Sequence, residues 1–249
     1  MFETMTLQAA AVALAAFLCG GFIKGLTGIG LPMVALPILS LVFTIPEAVG
    51  LTMVPILVSN GWQALTSGAF LPVVRRFWPM QLTMAVAIVF SSSFMVRLDD
   101  QQLLFWAGMA LALSAVGLRL RGTFQVPARL ERVTGVAVGL FAGMVGGVSS
   151  LFGIPIIVYM MSIGLSKAEF ISSISIIYLF AGIPFLFGLL YFGAVAPGDL
   201  VFSAMAVVPV MVGLTAARLV LRGVDDKLFH KLLLALLMFL GASMMYRGI

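Results

Sequence analysis

Ten apolar stretches, most of them near twenty residues long, follow one another from residue 5 to residue 246. They cover 5–23, 31–45, 48–71, 77–96, 101–120, 133–148, 154–165, 169–193, 200–221 and 228–246, with short charged or glycine- and proline-bearing joints between them. A hydrocarbon layer ~30 Å thick is crossed by about twenty such residues in a helix. A helix also satisfies its own backbone polar groups where no water is present. Composition agrees: 62% of the chain is hydrophobic and 9% charged, against about half and about a quarter in a soluble domain. The expected fold is an all-α polytopic membrane protein with about eight to ten transmembrane segments. The single cysteine, Cys19, excludes an intrachain disulfide framework. The start "MFETMTLQAA" carries Glu3 and no basic residue, so it reads as a retained helix rather than a signal peptide.

The second five stretches repeat the first five. "TGIGLP" at 27–32 matches "SLFGIP" at 150–155, aligning Gly30 with Gly153 and Pro32 with Pro155. Glu47 and Glu169 each precede the next long stretch, "RLDDQQLL" matches "GVDDKLFH", and Arg121-Gly122 matches Arg247-Gly248. The matches keep one order at offsets of 122 to 126, the signature of a tandem duplication. The repeats are expected at 1–122 and 133–249, joined by a basic linker at 123–132.

Charge orients the two halves. With sides alternating after each stretch, the side of the N-terminus receives only Arg97 and Arg247. The other side receives Arg75, Arg76, Arg119, Arg121, Arg129, Arg132, Lys167, Arg218, Arg222, Lys227 and Lys231. Cytoplasmic loops collect lysine and arginine, so both termini are expected outside and the net charge of +5 reports topology, not a nucleic-acid surface. Five segments per repeat, an odd number, would invert the second half relative to the first, a symmetry common in secondary transporters.

Within this frame, "GGFIKGLTGIGLPMVALPIL" (20–39) is an interrupted apolar segment, and "GLFAGMVGGVSSLFGIPIIV" (139–158) is its copy. The stretch 31–45 would span only ~22 Å as a helix and 154–165 only ~18 Å. Each opens with proline in its first turn after glycines that free the backbone. The expectation is a broken, re-entrant helical hairpin opening each repeat, the two dipping from opposite faces with their tips meeting near the midplane. Irregular backbone at that depth is tolerated only against protein or a watery cavity. Helix N-termini present unpaired N–H groups and a positive dipole end, which suit an anion.

The candidate substrate-binding residues follow: Lys24, Thr27, Gly28, Gly30, Pro32, Asn60, Gln63, Ser149, Ser150, Gly153 and Pro155. Each has a plainer alternative. Lys24 either faces the substrate or snorkels to the cytoplasmic interface. The glycines and prolines either shape the site or let helices approach closely. Thr27, Ser149 and Ser150 either touch the ligand or bond to carbonyls of their own helices. Asn60 and Gln63, in "SNGWQ", either line the pathway or lock helices together; their counterpart "AGIPF" offers Gly182 and Pro184, which predict a helix break instead. Ser172, Ser173 and Ser175 are weaker candidates. Glu47 and Glu169 are expected to cap their helices rather than carry protons, as are Asp99-Asp100 and Asp225-Asp226. Arg218 and His230 are expected at the cytoplasmic interface.

The glycine-rich break followed by "LPMVALPIL", its copy in the second half and the "GLTAARL" run at 213–219 together resemble the TauE/SafE family of sulfite and organosulfonate exporters, over about residues 7 to 246. The resemblance implies a bacterial inner-membrane transporter of sulfite, sulfonates or related small anions. From the residues themselves, a secondary transporter with alternating access stands beside a passive anion channel and a carrier importing small carboxylate-type anions. An intramembrane enzyme finds no support: there is no HExxH pair and no serine–histidine–aspartate constellation in an apolar segment. No cofactor, metal or nucleic-acid partner is expected. The partners are a small anion and the bilayer, with a proton as candidate coupling ion and the oligomeric state open.

Overall fold

A computed structural model describes residues 6–28, 30–119, 125–220 and 226–249, and the regular secondary structure of those residues is all helical. The first half holds α1 (Leu7–Thr27), α2 (Leu31–Leu39), α3 (Ile45–Thr66), α4 (Phe70–Ser92, continued by a 3-10 turn to Val96) and α5 (Asp100–Arg119). The second holds α6 (Glu131–Ser149), α7 (Gly153–Ser162), α8 (Lys167–Tyr191), α9 (Asp199–Met205), α10 (Val207–Val220) and α11 (Asp226–Arg247). Among the described residues, six helical stretches are long and apolar enough to cross a membrane: 7–27, 45–66, 70–96, 128–149, 169–191 and 199–217. The chain is a polytopic, all-α membrane protein. Its outward faces carry Leu14, Trp62, Leu82, Val86, Phe90, Val133, Phe187 and Phe239, each exposed, as lipid contact requires.

Helix pairing is dominated by α4 on α6, α1 on α10, α5 on α11, α4 on α8 and α3 on α8, with α3 also on α9, α2 folded back on α1 and α7 on α6. Small residues set the closest of these approaches. A Cβ at Gly139 would stand 2.3 Å from the Met80 carbonyl oxygen, and one at Gly143 2.6 Å from that of Met84. On the other side of the molecule, Gly21 lies against the Val210 carbonyl and Gly25 against Leu214. Glycines spaced by four thus bring backbones together in both pairs, as in other membrane helix contacts. Serine and threonine hydroxyls add cross-links: Ser91 Oγ donates to the Gly143 carbonyl at 2.9 Å and Thr83 Oγ1 to that of Val136 at 3.2 Å. Pro55 has no N–H for the Leu51 carbonyl, and Ser203 Oγ of α9 donates to that oxygen at 2.9 Å.

Several expectations are corrected. Helix α1 runs to Thr27 rather than stopping at residue 23, because Gly20, Gly21 and Gly25 pack against neighbours instead of opening the backbone. With 21 residues it is ~32 Å long, enough to cross the layer by itself; the short arms α2 and α7, nine and ten residues, are too short to cross. The basic pair Arg75-Arg76 lies inside α4, which begins at Phe70 rather than 77. Helix α8 continues without a break through Gly182 and Pro184; Gly182 lies against Leu57 of α3 and the buried surroundings hold the helix together. An unforeseen break falls at Ala206 between α9 and α10, where Pro209 cannot donate to the Met205 carbonyl.

Helix ends behave as the carboxylates predict. Glu47 Oε2 accepts from the Thr44 N–H at 2.9 Å, and Glu169 Oε2 from the Ser166 N–H at 2.9 Å and its hydroxyl at 2.6 Å. Asp99 Oδ1 accepts from the Gln102 N–H at 2.8 Å, while Asp100 Oδ1 reaches across to the Ile45 N–H. Arg121, Arg222, Asp225 and the linker residues 123–124 lie outside the described residues, as do the side chains of Arg119, Lys167, Arg218, Asp226, Lys227, His230 and Lys231.

Candidate functional site

Both interruptions are built the same way. Helix α1 ends on Gly28 at φ 80°, whose N–H donates to the Lys24 carbonyl at 2.8 Å. Helix α6 ends on Ser150 at φ 62°, whose N–H donates to the Gly146 carbonyl at 2.7 Å. Both are left-handed C-caps. The helix ends therefore pair Thr27 with Ser149 and Gly28 with Ser150, one position away from the match made by aligning Gly30 with Gly153. Thr27 Oγ1 donates to Ile23 O and Ser149 Oγ to Val145 O, both at 2.8 Å and both to the carbonyl four residues back. Gly30, at φ 107°, then leads into α2 with Pro32 in the first turn, and both are buried.

Lys24 occupies the last turn of α1 and is 3% exposed, so it does not snorkel. Its Nζ donates to Asn60 Oδ1 at 2.6 Å, and Asn60 Nδ2 donates back to the Ile56 carbonyl at 2.8 Å, fixing the orientation of the amide. Asn60 is also 3% exposed. Among the described residues no carboxylate pairs with Lys24. One turn on from Asn60, Gln63 Oε1 accepts from Ser175 Oγ of α8 at 3.1 Å, while Ser175 also donates to the Ile171 carbonyl. Gln63 thus couples α3 to α8, and Asn60 couples α3 to the tip of α1.

Helix α8 touches both breaks. A Cβ at Gly28 would meet the Ile171 side chain at 3.5 Å, and one at Gly153 would lie 1.7 Å from the Tyr178 hydroxyl. Ile171 and Tyr178 are seven residues apart, ~10 Å along the helix. The tips are therefore near each other across α8, although the two hairpins do not pack together as helix pairs. The corresponding place to Lys24 in the second half, Gly146, is filled: Phe152 lies on it, 2.3 Å from where a Cβ would stand. The Phe152 ring in turn meets Tyr178 and Phe185 edge-on at 5.3 and 6.0 Å. Pro155 stands at the third position of α7 and is half-buried.

The family model described as Sulfite exporter TauE/SafE matches residues 12–244, nearly the whole chain. The chain belongs to this family. A search of curated proteins and another of solved structures returned no match. The TauE/SafE protein is therefore a membrane transporter of a family that moves sulfur anions, and not an enzyme.

Three features of the TauE/SafE chain are not evident in its sequence. Ser150 is fully buried, and its Oγ has no hydrogen-bond partner among the described residues. Gln81 of α4, 6% exposed, leaves its Nε2 without an acceptor among the described residues in the same way. Tyr178, too, joins the surroundings of Gly153 only through tertiary packing; nothing in its local sequence singles it out from other apolar-segment tyrosines.

Proposed function

We propose that this TauE/SafE protein is a secondary transporter of small sulfur oxyanions, sulfite or sulfonates, across the bacterial inner membrane, working by alternating access around a midmembrane site between its two helix breaks. The observation that carries the proposal is Lys24. Its amine is buried beside a break, held by an amide oxygen alone and balanced by no carboxylate among the described residues. An intramembrane basic group costs free energy that a bound anion offsets. The orphaned Ser150 hydroxyl and the N–H groups at the start of α7 supply donors from the other break.

The pairing of helices supports two inverted repeats. Exchanging α1 with α6, α2 with α7, α3 with α8, α4 with α9–α10 and α5 with α11 turns each principal contact into another: α1 on α10 becomes α6 on α4, and α4 on α8 becomes α9 on α3. The self-paired contacts, α3 on α8 and α5 on α11, would then lie on the pseudo-two-fold axis and form the surface about which the halves move. Gln63–Ser175 crosses that surface. Orientation follows the arginines: Arg75, Arg76, Arg129 and Arg132 gather at one end, assigned to the cytoplasm, while Arg247 at the opposite end donates to the Ser40 carbonyl. Both termini are then outside.

The test is uptake of labelled sulfite and of a small sulfonate into proteoliposomes. Lys24→Met should lower the transport rate at least tenfold, corresponding to one lost charge-assisted hydrogen bond of about 1.5–3 kcal/mol, while removing the burial cost keeps the protein folded. Unchanged sulfite flux in Lys24→Met would overturn the site. Movement of carboxylates with no sulfur anion would overturn the substrate class, and unitary currents in a planar bilayer would identify a channel.

A further inference from the structure

At the end of the molecule where α4 and α6 begin, a cleft of about 430 Å³ is lined by Arg75, Arg76, Arg129 and Arg132, with Glu131 as its one acidic residue. Phe77, Met80, Gly135 and Tyr159 also line it. Glu131 is committed: its two oxygens take Arg76 Nε at 2.6 Å and a second Arg76 nitrogen at 3.1 Å. Its backbone carbonyl accepts from the Tyr159 hydroxyl at 2.8 Å, which anchors the cleft to α7. Arg75, Arg129 and Arg132 therefore bring three positive charges to one cleft with no ion-pair partner among the described residues. Arginine is suited to phosphate because its planar fork gives two parallel N–H donors.

Position selects the kind of phosphate. The cleft opens at the first turns of two membrane-crossing helices, the depth of lipid headgroups. Continuing into the membrane along the same helices are exposed apolar side chains: Trp78 and Leu82 on α4, Val133, Val136 and Leu140 on α6. A charged head above and an apolar track below is the shape of a lipid site, and basic pockets between helices on the cytoplasmic side are known to hold anionic headgroups. We infer that this cleft binds the phosphate of an anionic phospholipid, with Arg75, Arg129 and Arg132 as its ligands and the acyl chains lying along α4 and α6. The site is separate from the one holding Lys24, and the identity of the transported anion does not bear on it.

Native mass spectrometry of the full chain in detergent tests this with phosphatidylglycerol, phosphatidylcholine of the same acyl chains, and water-soluble glycerol phosphate as probes. Wild type should bind phosphatidylglycerol at least tenfold more tightly than phosphatidylcholine. The triple variant Arg75→Gln/Arg129→Gln/Arg132→Gln should erase that preference, at about fivefold per arginine, the weight of one basic residue at an anionic surface. Should the triple variant fail to fold by size exclusion, Arg129→Gln alone keeps the test: it lies exposed in the short turn before α6, and phosphatidylglycerol affinity should still fall about fivefold. Equal phosphatidylglycerol binding by wild type and variant would overturn the inference. So would displacement of phosphatidylglycerol by glycerol phosphate or sulfite at equal concentration, which would make the cleft an entry vestibule for small anions.

Discussion

Replacing Ser150 with glycine removes two costs at once. The residue sits at φ 62°, a left-handed conformation in which it is alone among the described non-glycine residues; for a residue with a Cβ this costs about 1–2 kcal/mol. Its buried hydroxyl has no partner among the described residues, a further cost of about 1–3 kcal/mol. Glycine returns about 0.5–1 kcal/mol as lost chain entropy, so Ser150→Gly should stabilise the fold by about 1–4.5 kcal/mol. For a chain of this length that is a rise of about 2–18 °C in Tm, measurable by thermal shift in detergent. Ser150→Ala removes only the hydroxyl and keeps the backbone strain, so its gain should be the smaller of the two. Transport should move the other way. If the hydroxyl donates to the bound anion, both variants lose about 1.5–3 kcal/mol of binding, or ten- to a hundredfold in sulfite flux at low concentration. A stabilised variant that transports like wild type would refute the ligand role. A variant whose Tm falls would refute the orphaned hydroxyl itself.

Gly139→Val should abolish folding, since its Cβ would stand 2.3 Å from the Met80 carbonyl, whereas Gly198→Ala, with nothing within 4 Å, should leave the melting temperature within about 2 °C; similar detergent monodispersity for both would refute the close α4–α6 contact. For orientation, single cysteines in a Cys19→Ser background should react with impermeant maleimide from outside at Leu41 and Gly198 and only after permeabilisation at Gly164 and Arg129; the opposite pattern would reverse the assigned sides.

Length and spacing carried the helical organisation, because in lipid an apolar run has almost one choice of backbone. All ten expected stretches have a helical counterpart. Boundaries were less readable where a glycine has two uses. Gly20, Gly21 and Gly25 look like hinges in the sequence and serve as contact points against α2 and α10. Only φ distinguishes them from Gly28 and Gly30, and φ is a tertiary outcome. Pro184 illustrates the same limit: a helix held on several sides absorbs a missing N–H that would end a free one. The Lys24–Asn60 contact joins residues 36 apart. Each was visible as a polar group in an apolar segment, but their meeting depends on where tertiary packing places α1 and α3. The Ser150 strain had no sequence signal, since serine is common at helix ends and its conformation there is usually ordinary.

The one-position shift between sequence match and helix ends changes what the two breaks can be compared for. Aligned by helix ends, Lys24 faces Gly146 across the duplication, and Gly28 faces Ser150. The space that a second lysine would need is taken by Phe152, packed on Gly146 and buttressed by Tyr178 and Phe185. One break thus brings a cation and a strain-free glycine, while the other brings an apolar plug, a strained backbone and an unpaired hydroxyl. A site assembled from them holds a single positive charge, enough to balance one negative charge of an oxyanion. Any second charge would have to be met by N–H and O–H dipoles alone, which bind it less well than a second cation would. Under the two-repeat reading, the duplicated frame therefore favours a monoanion such as bisulfite or a sulfonate over a dianion. In proteoliposomes the ratio of sulfite flux to that of a permanently monoanionic sulfonate should then rise as pH falls and the bisulfite fraction grows, since any change in the protein's own charge acts on both anions; a ratio level with pH would refute the single-charge argument.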